Sequence, residues 1–358
     1  MNEEQRSISI SIFEIVDIPF QLPREDLDHI LASTEDIFHS LNGSRIFITG
    51  GTGFIGRWLL ASLLHARVES GVKLSVDVLT RNPDFTLARW PVEFAEGQLR
   101  LISGDITQPL ELDSNPDYVI HGAADTSTYL SPQEVGNAII RGTRNIGSFA
   151  ANTNVDRLLF LSSGAVYDDL GLHTPFFEAQ LNSPEHGLEI TDYGTSKQLS
   201  ETMLNSVPNI SVVSARCFAF VGPYLPLDQN FAIGNFIADS LNNRKTIIRG
   251  DGLGVRSYMY TSDLVIWLWE LLLKGEADTA YNVGSSMETT IAALAHTVAK
   301  VTGNSRGVSI QNREKSSHRS YYVPDVSRAR DLDLDIDINL ETAIDKTAKW
   351  AATHSDWM

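Results

Sequence analysis

The chain has 358 residues, 42% of them hydrophobic and 20% charged, the balance of an ordinary soluble globular protein with two domains, or one large domain with a lobe. Its net charge of -17 argues against a polyanion such as DNA as partner, yet leaves room for a small anionic ligand held by a few local arginines. One cysteine, Cys217, excludes an intrachain disulfide framework, no apolar run reaches the roughly 18 residues of a membrane span, and the opening "MNEEQRSISISIFEIVDIPF" is unlike a secretory signal, so the expected location is the cytoplasm.

In chain order, residues 1–44 come first as an N-terminal helical extension. "REDLDHILASTEDIFHSL" spaces Leu27, Ile30, Leu31, Ile37, Phe38 and Leu41 along one helical face, which predicts packing on the main domain. From Arg45 the pattern becomes strand, turn and helix: "RIFIT" is a short apolar strand, a glycine turn follows, and "RWLLASLLHARV" is a helix. "KLSVDVLT", "LRLISGD", "DYVIHGAA" and "RLLFLSS" read as further strands, with "TRNIGSFAANT" a helix and "ISVVSARCFAF" a buried strand after the helix that starts near Tyr193. Strands alternating with helices predict an α/β fold, a Rossmann-type doubly wound parallel sheet over residues 45–223. After "VGPYLP" the strands become irregular, so residues 224–358 are expected to form mainly a smaller C-terminal substrate-binding lobe, with "DTAYNVGS" sending a strand back toward the first domain.

The turn "TGGTGFIG" places Gly50, Gly53 and Gly56 between an apolar strand and an amphipathic helix. Glycines there let backbone N–H groups approach a pyrophosphate, and the helix start at Phe54 and Ile55 adds partial positive charge. A tight turn that only packs helix on strand is the plainer alternative, which this context disfavours. The end of the second strand chooses between NAD and NADP. It carries Thr80 and Arg81 rather than a carboxylate, and Asp77 falls within the strand. The guanidinium fork of Arg81 suits a 2′-phosphate, so NADP is expected, with NAD the alternative; Arg57 is either a second contact or an exposed helix residue. Asp105 and Ile106 after the third strand are placed for adenine, and Ala123 and Ala124 for the groove near the ribose and nicotinamide.

"YGTSK" puts Tyr193 and Lys197 four residues apart, on one helix face. A lysine beside a phenol favours the phenolate and can hold the nicotinamide ribose, while the tyrosine serves as acid or base on a substrate oxygen. Ser163, at the end of "RLLFLSS", offers a hydroxyl to the same oxygen. A Tyr and a Lys at this spacing are often plain surface residues; their company with the glycine turn and the serine sets them apart.

The motifs "TGGTGFIG", "GDIT", "HGAA", "LSSGAVY", "YGTSK", "RCFAFVGP", "GDGLGVRSYMYTSDL" and "YNVG", spread over residues 45–330, resemble the extended short-chain dehydrogenase/reductases, the nucleotide-sugar epimerase/dehydratase family. The resemblance implies a nucleoside-diphosphate sugar as substrate, Ser163, Tyr193 and Lys197 as catalytic triad, and a homodimer paired through two helices from each subunit. In that family the 4,6-dehydratases carry Asp then Glu after the catalytic serine position, and the decarboxylases keep the Glu. Here those positions are Gly164 and Ala165, which cannot move a proton. Two readings survive: an NADPH-dependent reductase of a 4-keto-6-deoxy sugar nucleotide, which Arg81 favours, and a C4 epimerase. A decarboxylase with unfamiliar acid/base residues and a non-catalytic NADP sensor rank lower, because Ser163, Tyr193 and Lys197 are all present.

The resemblance also matches Arg256 in "GDGLGVRSY" to an arginine that reaches the diphosphate, and Glu178 in "PFFEAQ" to an acid near the sugar. Arg319 in "SSHRSYYVPD" is a second candidate for an anion contact, and Asn235 in "AIGNFI" a candidate contact to sugar or phosphate. The plainer readings are ion pairs of the arginines with Asp251 or Asp325, and a loop carboxylate at Glu178. Ala219 and Ile139 stand where the family often has asparagines, which points to a subfamily with different sugar or nucleotide recognition. No metal is expected.

Overall fold

The computed structural model describes residues 19–95, 99–113, 115–124, 130–167, 174–181, 193–228, 231–311 and 320–354. The first eighteen residues and Arg319 lie outside the described residues.

Six strands, with helices between all of them but β3 and β4 among the described residues, lead the sheet: β1 (Arg45–Thr49), β2 (Ser75–Thr80), β3 (Arg100–Ser103), β4 (Tyr118–His121), β5 (Arg157–Ser163) and β6 (Ser211–Cys217). With the edge strand Thr279–Val283 they make one seven-stranded sheet, in the order Thr279–Val283, β6, β5, β4, β1, β2, β3. Every pairing in it is parallel. Helices on both faces bury such a sheet, which is why its central strands are runs of Val, Ile, Leu and Phe rather than alternating patterns. The chain order reverses across β1, which has β2 on one side and β4 on the other.

Helices α1 (Arg24–Ser33), α2 (Glu35–Ser40), α3 (Phe54–Glu69), α4 (Pro83–Arg89), α5 (Pro132–Thr153), α6 (Tyr193–Asn205), α7 (Ala232–Leu241) and α8 (Thr261–Lys274) follow in sequence. Helix α5 begins with a capping box, in which the Ser131 hydroxyl and the Glu134 carboxylate satisfy each other's backbone N–H, and Pro132 supplies a preset first turn. The extension packs as its apolar spacing predicts: Leu27, Ile30, Ile37, Phe38 and Leu41 are buried, and Leu31 is partly so. Phe38 meets Trp269 of α8 at 5.6 Å between ring centroids. Asp26 of α1 accepts from the Tyr260 hydroxyl at 2.7 Å and pairs with Lys346 at 3.0 Å, which ties the extension to the C-terminal part of the chain. A three-stranded sheet of Thr289–Thr290, Val255–Arg256 and Tyr321–Tyr322 stands apart from the main sheet. Among the described residues no helix is long and apolar enough to cross a membrane.

Candidate active site

A cleft of about 590 Å³ is lined by Gly50, Gly53, Arg81, Asp105, Ile106, Ala123 and Ala124, with Phe85, Trp90 and Ile139. It sits at the carboxyl ends of β1, β2 and β4, where the strand order reverses and open α/β sheets bind ligands. The three glycines answer three different demands. Gly50 has φ +77°, and a Cβ on it would stand 2.6 Å from the carbonyl carbon of Gly122, so β1 and β4 can close only around glycine. A Cβ on Gly56 would stand 2.3 Å from the Gly50 oxygen, so Gly56 is there for close helix packing and does not line the cleft. Gly53 is the N-cap of α3 with no side-chain cap, and the first-turn N–H groups that follow it, from Phe54 to Gly56, lack intrahelical acceptors. Those donors and the helix dipole fit a pyrophosphate, and with the adjoining groove they fit a nicotinamide dinucleotide. The side chains of Phe54 and Ile55 pack against the core instead.

Asp77 is out of reach of a ribose in this cleft. It is buried within β2, where its two carboxylate oxygens accept from Arg100 at 2.7 and 2.8 Å and one of them also from Arg45 at 3.3 Å. Arg81 is exposed at the cleft wall. Arg57 is no exposed helix residue: its guanidinium carbon lies 4.6 Å from the ring centroids of both Trp90 and Tyr224, and burial lowers its pKa to about 10, which leaves it a cation at neutral pH. The aromatic lining, with Phe85 62% exposed, gives the cleft flat apolar faces that the sequence reading missed. Asp105 accepts from the Thr107 backbone N and hydroxyl at 2.8 and 2.9 Å, and the Ile106 carbonyl accepts from Asn145 Nδ2. The Ala123 N–H donates to the Thr49 hydroxyl, which also pairs with His121 at 2.7 Å; burial lowers His121 to about 3, so it is neutral.

Ser163 ends β5, Tyr193 opens α6, and Lys197 follows one turn later. The Tyr193 phenol hydrogen-bonds Ser163, whose Oγ also accepts from the Ala165 N–H at 3.1 Å. Lys197 Nζ donates to the Leu161 carbonyl at 2.7 Å and lies 5.8 Å from the Tyr193 ring centroid. The structure thus brings the three together. It departs from the sequence expectation on electrostatics: burial pushes Tyr193 up to about 12, outweighing the hydrogen bond from Ser163, so at neutral pH this group is a proton-bearing phenol. Burial also lowers Lys197 to about 8, opposed by Cys217 and Glu201. Between about 8 and the ordinary lysine value of 10.5 the folded chain holds fewer protons at Lys197 than the unfolded chain. Lys197 therefore makes stability rise with pH in that window. The unfolding midpoint of the wild type should climb relative to that of Lys197→Met from about pH 8 to about pH 10; a constant difference would mean that burial does not disfavour the ammonium.

The residues assigned to substrate are more dispersed. Arg256 donates to the Val255 carbonyl at 2.8 Å and to the Ser320 carbonyl and hydroxyl at 3.1 and 2.8 Å, and its guanidinium carbon lies 5.8 Å from the Tyr322 ring centroid. Asn235 is half-buried in the first turn of α7. Glu178 is not an open loop carboxylate: it is buried, accepts from the Asn282 N–H at 2.8 Å, and borders a separate cavity of about 840 Å³ with Glu201 and Arg216, away from the dinucleotide cleft.

A parallel sheet with an uncapped helix N-terminus at its switch point, a dinucleotide-sized cleft and a Ser–Tyr–Lys group define a nicotinamide-dependent enzyme of the extended short-chain dehydrogenase/reductase class. Residues 46–284 match the NAD dependent epimerase/dehydratase family, and the chain belongs to it. Among curated relatives, UDP-glucuronic acid decarboxylase 6 of Arabidopsis thaliana is 27% identical over 292 residues, covering 80% of this chain and 82% of its own. Among solved structures, an epimerase from Methanothermobacter thermautotrophicus superposes with a TM-score of 0.75 at 23% identity, over 91% of this chain and 97% of its own. UDP-glucose 4-epimerase from Thermotoga maritima, solved with UDP-glucose, gives 0.70 at 22% identity, over 86% and 99%.

Proposed function

We propose that this enzyme is an NADPH-dependent reductase of a nucleoside-diphosphate 4-keto-6-deoxy sugar, with Tyr193 as the acid. The observation that carries the reading is a neutral phenol beside Ser163 in a centre with glycine and alanine at positions 164 and 165. A phenol that carries its proton at neutral pH and stands beside Ser163 can give that proton to a carbonyl oxygen, which is what reduction asks. Without a carboxylate at 164 or 165, the elimination and decarboxylation chemistry that the family resemblance ties to those positions lacks its base. The substrate class rests on the relatives, whose names specify UDP-glucuronic acid and UDP-glucose.

When bound, the reduced nicotinamide supplies hydride to the carbonyl carbon. The protein's part is to hold the dinucleotide on the first turn of α3, to place Tyr193 at the carbonyl oxygen and to deliver its proton there. Lys197, held by the Leu161 carbonyl, stands close enough to Tyr193 to stabilise the phenolate left behind. The same group run in both directions gives a C4 epimerase, which the small residues at 164 and 165 equally allow. Incubation with 4-keto-6-deoxy sugar nucleotides and NADPH separates the two: the reductase consumes NADPH stoichiometrically, read at the reduced-nicotinamide absorbance. Interconversion of two hydroxyl epimers without added cofactor would sink it.

Cofactor choice rests on Arg81 at the end of β2. One charge-assisted hydrogen bond contributes about 1.5–3 kcal/mol, so Arg81→Ala should weaken NADP roughly ten- to a hundredfold and NAD by no more than about twofold. Equal losses for both nucleotides, measured by titration, would remove the NADP assignment.

A further inference from the structure

Position 164 is glycine, and the space its side chain would fill is already taken. A Cβ there would stand 2.6 Å from the Tyr322 hydroxyl and 2.9 Å from the Phe218 ring. Tyr322 belongs to the short strand that pairs with Val255–Arg256, far along the chain from the sheet that carries Ser163. Its ring packs on Phe218 at 4.7 Å between centroids, and its hydroxyl hydrogen-bonds Ser163. Ser163 therefore has a phenol on two sides, Tyr193 and Tyr322.

The serine has one proton and two lone pairs. It cannot donate to both phenols at once, so one phenol must donate to it. Once Tyr193 has given up its proton its phenolate can only accept, so the single Ser163 proton must point to it and Tyr322 must be the donor to Ser163. With the Ala165 N–H filling one lone pair of Ser163, a single lone pair remains for Tyr322. The Ser163 proton is then left for the Tyr193 oxygen, and the Tyr193 proton is turned outward.

We infer that Tyr322 is a positioning residue for the hydride-transfer reaction: it donates to Ser163, and through Ser163 it orients the Tyr193 proton and stabilises the Tyr193 phenolate. The inference rests on Ser163, Tyr193 and Lys197 being the catalytic group. In the reductive direction, hydride from NADPH forms the C–H bond at the carbonyl carbon, and the Tyr193 O–H bond breaks as its proton goes to the carbonyl oxygen. The products are the alcohol, oxidised nucleotide and a Tyr193 phenolate. That phenolate accepts from Ser163, which is backed by Tyr322, until solvent returns the proton. In this centre a distant phenol thus occupies the volume that a side chain at 164 would need, and it supplies a donor where a carboxylate would supply a base.

Tyr322→Phe keeps the ring on Phe218 and removes only the hydroxyl. With NADPH and a 4-keto-6-deoxy sugar nucleotide, kcat should fall roughly ten- to a hundredfold, the worth of one hydrogen bond to a charged group, while KM changes by less than about threefold. The protein also gives a readout that needs no sugar. With NADP bound, the difference in tyrosinate absorbance between wild type and Tyr193→Phe isolates the Tyr193 titration. Repeating it in the Tyr322→Phe background should move that titration upward, because the phenolate has lost its support. An unchanged midpoint overturns the inference, and so does a stability loss with kcat intact. Tyr193→Phe measured alongside keeps the two readings apart. If it retains turnover, the catalytic group itself is wrong; if it is inactive while Tyr322→Phe behaves as wild type, only the role of Tyr322 fails.

Discussion

Replacing Tyr193 by phenylalanine should cut turnover by roughly a hundred- to ten-thousandfold, the usual contribution of a positioned general acid, and leave nicotinamide nucleotide binding almost unchanged. The separation follows from where the groups sit. On the proposed reading nucleotide is held by the first turn of α3 and by the walls of a cleft whose lining does not include Tyr193. The phenol is half-buried beside Ser163, and phenylalanine fills the same volume without its proton. Ser163 keeps the Ala165 N–H and the Tyr322 hydroxyl, so its own position is still determined. Single-turnover absorbance measures the hydride step, and a nucleotide titration measures binding. A variant that turns over at the wild-type rate would show that another group supplies the proton.

How far this was legible in the sequence depends on how local each feature is. The strand, glycine turn and helix around "TGGTGFIG" form one contiguous unit, so their order and the fates of Asp77 and Arg81 can be read from spacing alone. Tyr193 and Lys197 share a helix, and four residues suffice to place them together. Tyr322 had no such signal. It lies in a two-residue strand, too short for any periodicity, and reaches Ser163 only because Tyr321–Tyr322 pairs with Val255–Arg256. Arg57 was half-read for a related reason: its position after the third glycine was plain, but the Trp90 and Tyr224 rings on either side of it come from distant segments. A lysine four residues from Tyr193 is visible in sequence and favours the phenolate, whereas the burial that opposes it and raises the Tyr193 pKa is a property of the whole fold. Glu178 shows the same limit: the family resemblance matched it to an acid near the sugar, and only the fold adds that its carboxylate accepts from the Asn282 backbone.

The second large effect is expected at Arg216, the first residue of the motif "RCFAFVGP", whose partners come from distant segments. Arg216 lies buried in β6 and pairs with Glu201 of α6, Nη2 to Oε2 at 2.8 Å and Nε to Oε1 at 3.1 Å. Its Nη1 donates to the Tyr167 hydroxyl at 3.0 Å and to the Glu178 carbonyl at 3.2 Å. Burial by itself would lower the Arg216 pKa, but the Glu201 hydrogen bonds outweigh it and hold the group above its ordinary value, so it stays charged at any working pH. Glu201 sits one turn beyond Lys197 on the helix that Tyr193 opens, and it also accepts from the Ser162 hydroxyl next to Ser163. The pair therefore fixes α6 against β5 and β6, and with it the distance between the serine and the tyrosine. Arg216→Met leaves a buried carboxylate without its cation, which costs about 3–5 kcal/mol. Glu201→Leu added to it removes that stranded charge, so the double variant should regain a large part of the loss, less what the unpaired Ser162 hydroxyl costs; the Tyr167 hydroxyl keeps its bond to Asn282. Denaturation midpoints of the two single variants and the double variant measure this directly. If the double variant is as unstable as the two single losses summed, the groups are not coupled and something other than the ion pair secures α6. If it is stable but slow, with nucleotide binding intact, the pair's role is to hold Tyr193 and Ser163 in register.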